Sequence, residues 1–315
     1  MRFVIAGASG FIGSHVTAKL RELGHEVDHI GRSAPVRWGR TAAMTDLLEG
    51  ADVLLNLAGK SVNCRYGPRN RAEIRRSRVD TTRELADAVR TCEHPPALWI
   101  NSSTATIYRH AEDRPMTEAA GELGVGFSVE VAKAWEAAFF DGDLPNTRRV
   151  ALRTAIVLGQ GGALSPMLAL ARFGLGCPQL DGHWFGTRAR RAAGVYHEYR
   201  SRGGRQKFSW VHVDDVLGIL LFLTEHPELE GVINVSAPHP VDNRTLMRTI
   251  RRVLGIPLGL PAFRWMTELG AIAIRTETEL ILKSRWVVPE RLSEAGFSFE
   301  YPQLEGALRH IAQGA

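Results

Sequence analysis

The stretch VIAGASGFIGSHV, residues 4–16, sets Gly7, Gly10 and Gly13 at G-x-x-G-x-x-G spacing between an apolar run and an amphipathic one. Glycine at a strand-to-helix turn permits a tight backbone and leaves main-chain amides bare. The diphosphate of a dinucleotide can then approach those amides and the positive end of the following helix. The spacing departs from G-x-G-x-x-G, so context carries the reading: an apolar strand before, a helix from near Phe11 after, and a second strand, EVDHI, next. Ser9, Gly10, Phe11 and Ile12 form the turn that would face the diphosphate. The end of the second strand selects the dinucleotide. An acid there suits the ribose hydroxyls of NAD, whereas Arg32 suits the 2′-phosphate of NADP(H). The expected cofactor is NADP(H); the plain alternatives are a ligand-free tight turn and an exposed turn arginine.

The elements that must position this loop are legible as alternating apolar runs and helical patterns, the signature of β-α-β units. Strands are expected at 2–7, 26–31, 51–59, 97–103, 148–159 and 231–237, and helices at 11–23, 71–91, 128–140 and 213–226. From 160 to 210 the pattern loosens into Gly and Arg, and helices at 243–254 and 262–284 follow. The fold class is therefore α/β: a Rossmann-type doubly wound parallel sheet with a smaller C-terminal substrate lobe. The expected domains are 1–160 plus 208–237 for the cofactor and 161–207 plus 238–315 for the substrate.

Composition narrows the class. With 315 residues, 44% hydrophobic and 23% charged, the chain reads as a soluble globular protein. The first apolar run is too short for a signal-peptide core, and no window approaches a membrane span, so no membrane partner is expected. Cys64, Cys92 and Cys177 are widely spaced and lack metal-ligand spacing, which implies reduced thiols, no metal site and a cytoplasmic location. The net charge of +5 comes from arginines concentrated at 64–78 and 186–205. Such runs can bind nucleic acid, but a solvated surface or a pocket for an anionic ligand explains them better, and no nucleic-acid partner is expected.

The glycine loop, NLAG at 56–59, SSTATIY at 102–108 and WVHVDDV at 210–216 together resemble the extended short-chain dehydrogenase/reductase superfamily. NLAGKSVNCRY (56–66), LRTAIVLGQGGAL (152–164), INVSAPHPV (233–241) and VPERLSEAGFSF (288–299) are similar to one atypical branch. Its members are loosely called epimerase family proteins and carry a C-terminal domain of unknown function. The resemblance spans nearly the whole chain. It implies an NADP(H)-dependent oxidoreductase or epimerase acting on a small-molecule substrate, neutral or anionic. Arg65 and Arg78, which follow the NLAG strand, and Lys207 and Trp210, which precede the histidine motif, are the candidate pocket residues, with core packing the plain reading of Trp210. The resemblance also implies that Leu57, Ala58 and Gly59 lie along the cofactor, and that His212 and Asp215 organise the fold.

The superfamily's chemistry uses a Ser or Thr, a Tyr, and a Lys four positions after that Tyr on one helix turn. Thr104 matches the Ser/Thr position, which binds the substrate oxygen; its plain reading is a strand-end threonine bonded to backbone. Tyr108 matches a tyrosine outside the catalytic pair. Anchoring the helix FSVEVAKAWE on Glu136 puts Ser128 and Ala132 where Tyr and Lys belong. Sliding by one recovers Lys133 but pairs it with Val129. Arg78 stands where the superfamily usually has an Asn. The proton source is thus left open among Tyr108, Lys133 and water. A second class of function, an NADP(H)-binding sensor with little turnover, follows from the missing pair. Oligomeric state is left open, with a homodimer through helices like 71–91 and 128–140 suggested by the resemblance.

Overall fold

The computed structural model describes residues 1–162 and 164–313; Ala163 and the last two residues of the expected C-terminal lobe lie outside the described residues. The strands are β1 (Arg2–Ala6), β2 (Glu26–Ile30), β3 (Val53–Asn56), β4 (Leu98–Ser102), β5 (Arg148–Thr154), β6 (Ile156–Leu158), β7 (Lys207–Phe208), β8 (Trp210–His212), β9 (Gly231–Val235) and β10 (Val241–Asp242). The main sheet is parallel, in the order β2-β1-β3-β4-β5-β9. Because β2 and β3 flank β1 on opposite sides, the chain reverses its winding there. A crevice opens at the carboxyl ends of β1 and β3.

The helices are α1 (Phe11–Glu22), α2 (Thr41–Leu48), α3 (Pro68–Thr91), α4 (Phe127–Phe140), α5 (Leu164–Leu170), α6 (Arg188–Ala192), α7 (Val213–Glu225), α8 (Asn243–Leu254), α9 (Arg264–Ala273), α10 (Glu279–Leu282), α11 (Glu290–Glu294) and α12 (Leu304–Gln313). None is long and apolar enough to cross a membrane. Successive strand residues face opposite sides, so β1 feeds two cores at once. Phe3 and Ile5 join Val16, Leu20 and Leu220 under α1 and α7. Val4 and Ala6 join Leu48, Leu85 and Phe139 under α2, α3 and α4. Burial on both faces is why these strands read as unbroken apolar runs.

Helices α2 and α12 lie outside the expected elements, β3 is shorter than 51–59, and three further differences have a local cause. The strand expected at 148–159 is two strands: β5 pairs with β9 as far as Thr154–Val235, and β6 then leaves the main sheet to pair with β8. Helix α3 starts at Pro68, three residues early, because proline suits the first helical position, where its missing N–H costs nothing. The helix expected over 262–284 ends at Ala273. Arg275 takes φ +56°, and the Thr276 amide bonds back to Ala271 O at 2.8 Å. This is a left-handed helix stop built without the usual glycine. Helix α9 is also inverted: Arg264, Thr267 and Glu268 are buried, while Trp265, Leu269 and Ile272 are exposed.

Candidate functional site

Gly7 leaves β1 with φ +86°, a conformation that disfavours a side chain, and donates its amide to Ile30 O at 3.2 Å. A Cβ there would fall 2.7 Å from the Leu57 carbonyl carbon and 2.8 Å from the Ala58 nitrogen. A Cβ on Gly13 would fall 2.5 Å from Gly7 O. The loop is therefore seated directly on the Leu57–Ala58 backbone. Gly10 is different: its Cβ would meet only Gly7 O, at 3.5 Å, so its outer side is open. It is also the N-cap of α1, with no side-chain cap and no acid in the first turn. The amide end of α1 thus faces the crevice unneutralised. Ser9 and Gly10 are exposed at this turn, Ile12 packs toward the core, and the Phe11 ring lies against Gly159 and Gly162.

The end of β3 is held by a network the sequence did not announce. Asn56 accepts the Ala58 amide at 3.1 Å and donates to Asn101 at 2.7 Å and to Thr82 at 3.2 Å. Trp135 on α4 donates to the same Thr82 hydroxyl at 3.0 Å. A polar Asn closing each of two otherwise apolar strands, VLLN and LWINS, was the available signal. Gly59, next along, is exposed. At the far side, Arg32 after β2 is exposed and has no hydrogen-bond or ion-pair partner among the described residues.

The residues considered for proton transfer fare unequally. Thr104 caps the short turn Ala105–Ile107 by accepting the Thr106 amide at 3.1 Å, and its own proton goes to no acceptor among the described residues. It keeps a donor for a substrate oxygen. Tyr108 is corrected to a structural role. Its ring is buried, and its hydroxyl donates to Asn234 at 2.9 Å while accepting from Arg153 at 3.0 Å. Burial, only partly offset by Arg153, pushes its phenol up. Arg153 in turn chelates Glu136 at 2.7 and 2.9 Å, and Glu136 also accepts from Ser103 at 2.6 Å. Lys133 is corrected too: it bonds Gly124 O and Glu130, both at 3.1 Å, along its own helix and the loop before it. Ala132, at the expected lysine position, is buried beside Ala105 and Ile107.

Ser128, at the expected tyrosine position, donates to Glu279 from the C-terminal segment at 2.8 Å. Burial alone would push the Glu279 carboxyl up, but His197, Lys283 and Ser128 outweigh it and hold the group at about 2. Lys283 donates to Thr106 O at 2.7 Å, and burial brings its ammonium down to about 8. The C-terminal segment thus lies against the Thr104 turn and the start of α4 together.

The substrate candidates divide. Arg65 is a clamp: it donates to Thr276 O at 2.9 Å and lies 3.4 Å from Glu277. Lys207 sits over the Trp286 ring at 4.7 Å. Trp210 is corrected from pocket to core, since it is fully buried among Leu158, Phe208 and Met247. Arg78 stays at the crevice, with its guanidinium against Gly59 and 5.1 Å from the Trp135 ring. The basic run 64–78 thus splits into partly buried Arg65, Arg71 and Arg78 and exposed Arg69, Arg75 and Arg76. His212 accepts the Asp214 amide and so caps α7, and Asp215 accepts the Glu300 amide at 2.6 Å. His212, Asp214 and His310 bring donor atoms within 4.8 Å, but the His212 Nδ1 lone pair is already used by the cap.

Comparisons with known proteins agree with this geometry. Residues 3–125 match the model of the NAD dependent epimerase/dehydratase family, and 263–311 match a domain of unknown function, DUF1731. The mouse epimerase family protein SDR39U1 is 33% identical over 99% of both chains. The Bacillus subtilis epimerase family protein YfhF is 30% identical over 99% of this chain and 98% of its own. The crystal structure of human epimerase family protein SDR39U1 (isoform 2) with NADPH superposes with a TM-score of 0.85, at 29% identity and full coverage of both chains.

Proposed function

This chain belongs to the epimerase family represented by those full-length relatives, and from that premise we propose that it binds NADP(H) and acts as an oxidoreductase or epimerase on a small substrate. The observation that carries the reading is the open, uncapped α1 terminus seated on β3, with Arg32 at the end of β2 unpaired among the described residues. Gly7, Gly10 and Gly13 supply bare backbone for the diphosphate, and Arg32 supplies a cation for the 2′-phosphate. The cofactor supplies the hydride chemistry when bound; the chain's task is to orient the two partners and move a proton. Thr104 donates its free proton to the substrate oxygen. Supporting evidence for the cofactor is the NADPH in the similar human structure.

The test is titration with NADPH and NADH, followed by a screen of small carbonyl compounds for loss of NADPH absorbance. Tighter binding of NADPH, with turnover abolished in Thr104→Val, is the expected result. Preference for NADH overturns the cofactor assignment.

One observation favours a second reading, an NADP(H)-binding sensor with little turnover. Tyr108 and Lys133 are both committed elsewhere, while the cofactor crevice is complete. NADPH binding with no turnover across the screen would select it. Cys64, Cys92 and Cys177 are free thiols, which suits a reducing compartment such as the cytoplasm. Under either reading we propose that two copies pair across α3 and α4, whose outer faces leave a cleft of about 560 Å3 lined by Arg71, Arg75, Phe127 and Lys133. Sedimentation as a monomer overturns that pairing.

A further inference from the structure

The inward-turned arginines of this protein differ in what they meet. Arg153 chelates Glu136, Arg264 bridges Asp181 and Glu268, and Arg65 and Arg190 share Glu277. Arg285 meets no carboxylate among the described residues but spends Nε, Nη1 and Nη2 on Thr106 Oγ1 and the Leu280 and Glu279 carbonyls. Arg78 meets no carboxylate among the described residues and leaves donors over. Its Nη1 spends both protons on main-chain carbonyls, of Lys60 at 3.0 Å and Ile74 at 3.1 Å. The Nε proton and the two on Nη2 have no acceptor among the described residues. Burial brings the guanidinium down to about 10, and the ionisable neighbours that partly offset this are Tyr66 and Cys64, not an acid. The group stays cationic at neutral pH, half-buried and without a counter-ion among the described residues. That is an unfavourable state unless something anionic completes it.

Its surroundings fix the fork. The two carbonyl bonds anchor one edge, and the Trp135 ring lies 5.1 Å away. A Cβ on Gly59 would fall 3.1 Å from Arg78 Cζ and 3.3 Å from Nη2, so only the absence of a side chain there leaves the fork uncovered. Trp135 and Ala132 are three apart on α4 and so lie on neighbouring positions of one face. The small Ala132 side chain places no second cation on that face.

Position along the sheet separates this arginine from the cofactor's own phosphates. Arg32 marks the end of β2, the glycine loop marks β1, Gly59 and Arg78 mark β3, and Thr104 marks β4. A dinucleotide laid from Arg32 across the loop would be held at its phosphates by Arg32 and the glycine-loop amides. Its nicotinamide end then reaches β3 and β4. We propose that Arg78 forms an anion-binding subsite there, which takes the carboxylate or phosphate of an acidic substrate and holds it beside Thr104. This rests on the NADP(H) reading above and names the substrate class for it. A planar fork with three free donors can bind two oxygens of one carboxylate or phosphate side by side.

The test uses the full-length protein at constant ionic strength, with malonate and inorganic phosphate as probes, with and without NADPH. Tryptophan fluorescence reports the anion through Trp135, and NADPH fluorescence reports the cofactor. Saturable binding of at least one probe is expected, weakened about tenfold or more in Arg78→Gln, with NADPH affinity little changed. Arg78→Lys keeps the charge, loses the fork, and should weaken the probe by less; it carries the test if Arg78→Gln does not fold. Equal probe binding by wild type and both variants overturns the subsite, as does no saturable binding of either probe. Loss of NADPH affinity with probe binding intact makes Arg78 a cofactor ligand instead. If NADPH fails to bind the wild type while probe binding still depends on Arg78, the NADP(H) reading falls and the subsite stands.

Discussion

The cofactor crevice and the contact with the C-terminal segment treat the same residue type in opposite ways. In the contact region, two inward-turned arginines are matched by acids: Arg264 lies 2.6 Å from both Asp181 and Glu268, and Arg190 lies 3.0 Å from Glu277, while buried Arg285 spends its donors on Thr106 Oγ1 and the Leu280 and Glu279 carbonyls. At the crevice, Arg32 and Arg78 have no acid partner among the described residues. Matched charges hold two parts of the chain together, because removing one partner strands the other in a poorly solvated place. Unmatched charges on a fixed frame are free to meet a ligand. The difference separates structure from binding more sharply than residue identity does.

The strongest way to break this comparison is Arg264→Met, which leaves Asp181 and Glu268 without their cation. A loss of about 3–5 kcal/mol in denaturant unfolding is expected, with NADPH affinity per folded molecule unchanged. Gly7→Ala comes next. The forced φ and the backbone clash should cost about 1–3 kcal/mol and displace the loop, so both stability and NADPH titration should suffer. Arg32→Ala should leave the melting temperature alone and weaken NADPH roughly tenfold while sparing NADH, as loss of a charge-assisted contact predicts. If NADPH and NADH weaken alike, the crevice charge is not reading the 2′-phosphate.

A smaller effect concerns acid. Glu279 titrates at about 2 in the folded protein, below its ordinary value near 4.5, so it contributes stability that is complete above that ordinary value. That contribution is lost as pH falls from about 4.5 toward 2. Glu279→Gln should therefore flatten the acid limb of the stability profile in that window. An unchanged limb would mean that His197 and Lys283 do not stabilise the carboxylate. Smallest of all, Lys133→Met should change stability by about 0.5 kcal/mol or less, because an exposed i,i+3 pair contributes little. A large loss of turnover in that variant would restore Lys133 as a proton donor.

Legibility followed the same division. The crevice is built by backbone, and backbone demands leave marks in sequence: glycine where φ is positive or a Cβ would clash, and unbroken apolar runs where a strand is covered twice. Arg32 was visible as a charge placed next to such a mark, and Arg78 as an arginine where the family resemblance leads one to expect an Asn. Tyr108 and Trp210 stayed open between pocket and core, because an aromatic at a motif's edge looks alike in either place. Only the bonds to Asn234 and Arg153, and the packing on Leu158 and Met247, distinguish them. The helix expected over 262–284 failed for a related reason. RTETELIL contains neither glycine nor proline, so nothing local announces the left-handed turn at Arg275.

From sequence alone came the parallel α/β sheet, the glycine loop with its preference for NADP(H), and the absence of a Tyr and a correctly spaced Lys on α4. Each depends on residues close together in the chain, where propensity and spacing suffice. Tertiary structure decided what stands around those positions: Ser128 meets Glu279 from 151 residues away, and Lys283 meets Thr106 from 177. It also decided that Arg78 keeps donors without an acceptor among the described residues, whereas Arg153, Arg264, Arg65 and Arg190 find acids. Such pairings cost chain entropy to assemble and are set by which surfaces pack together, information that no local spacing carries.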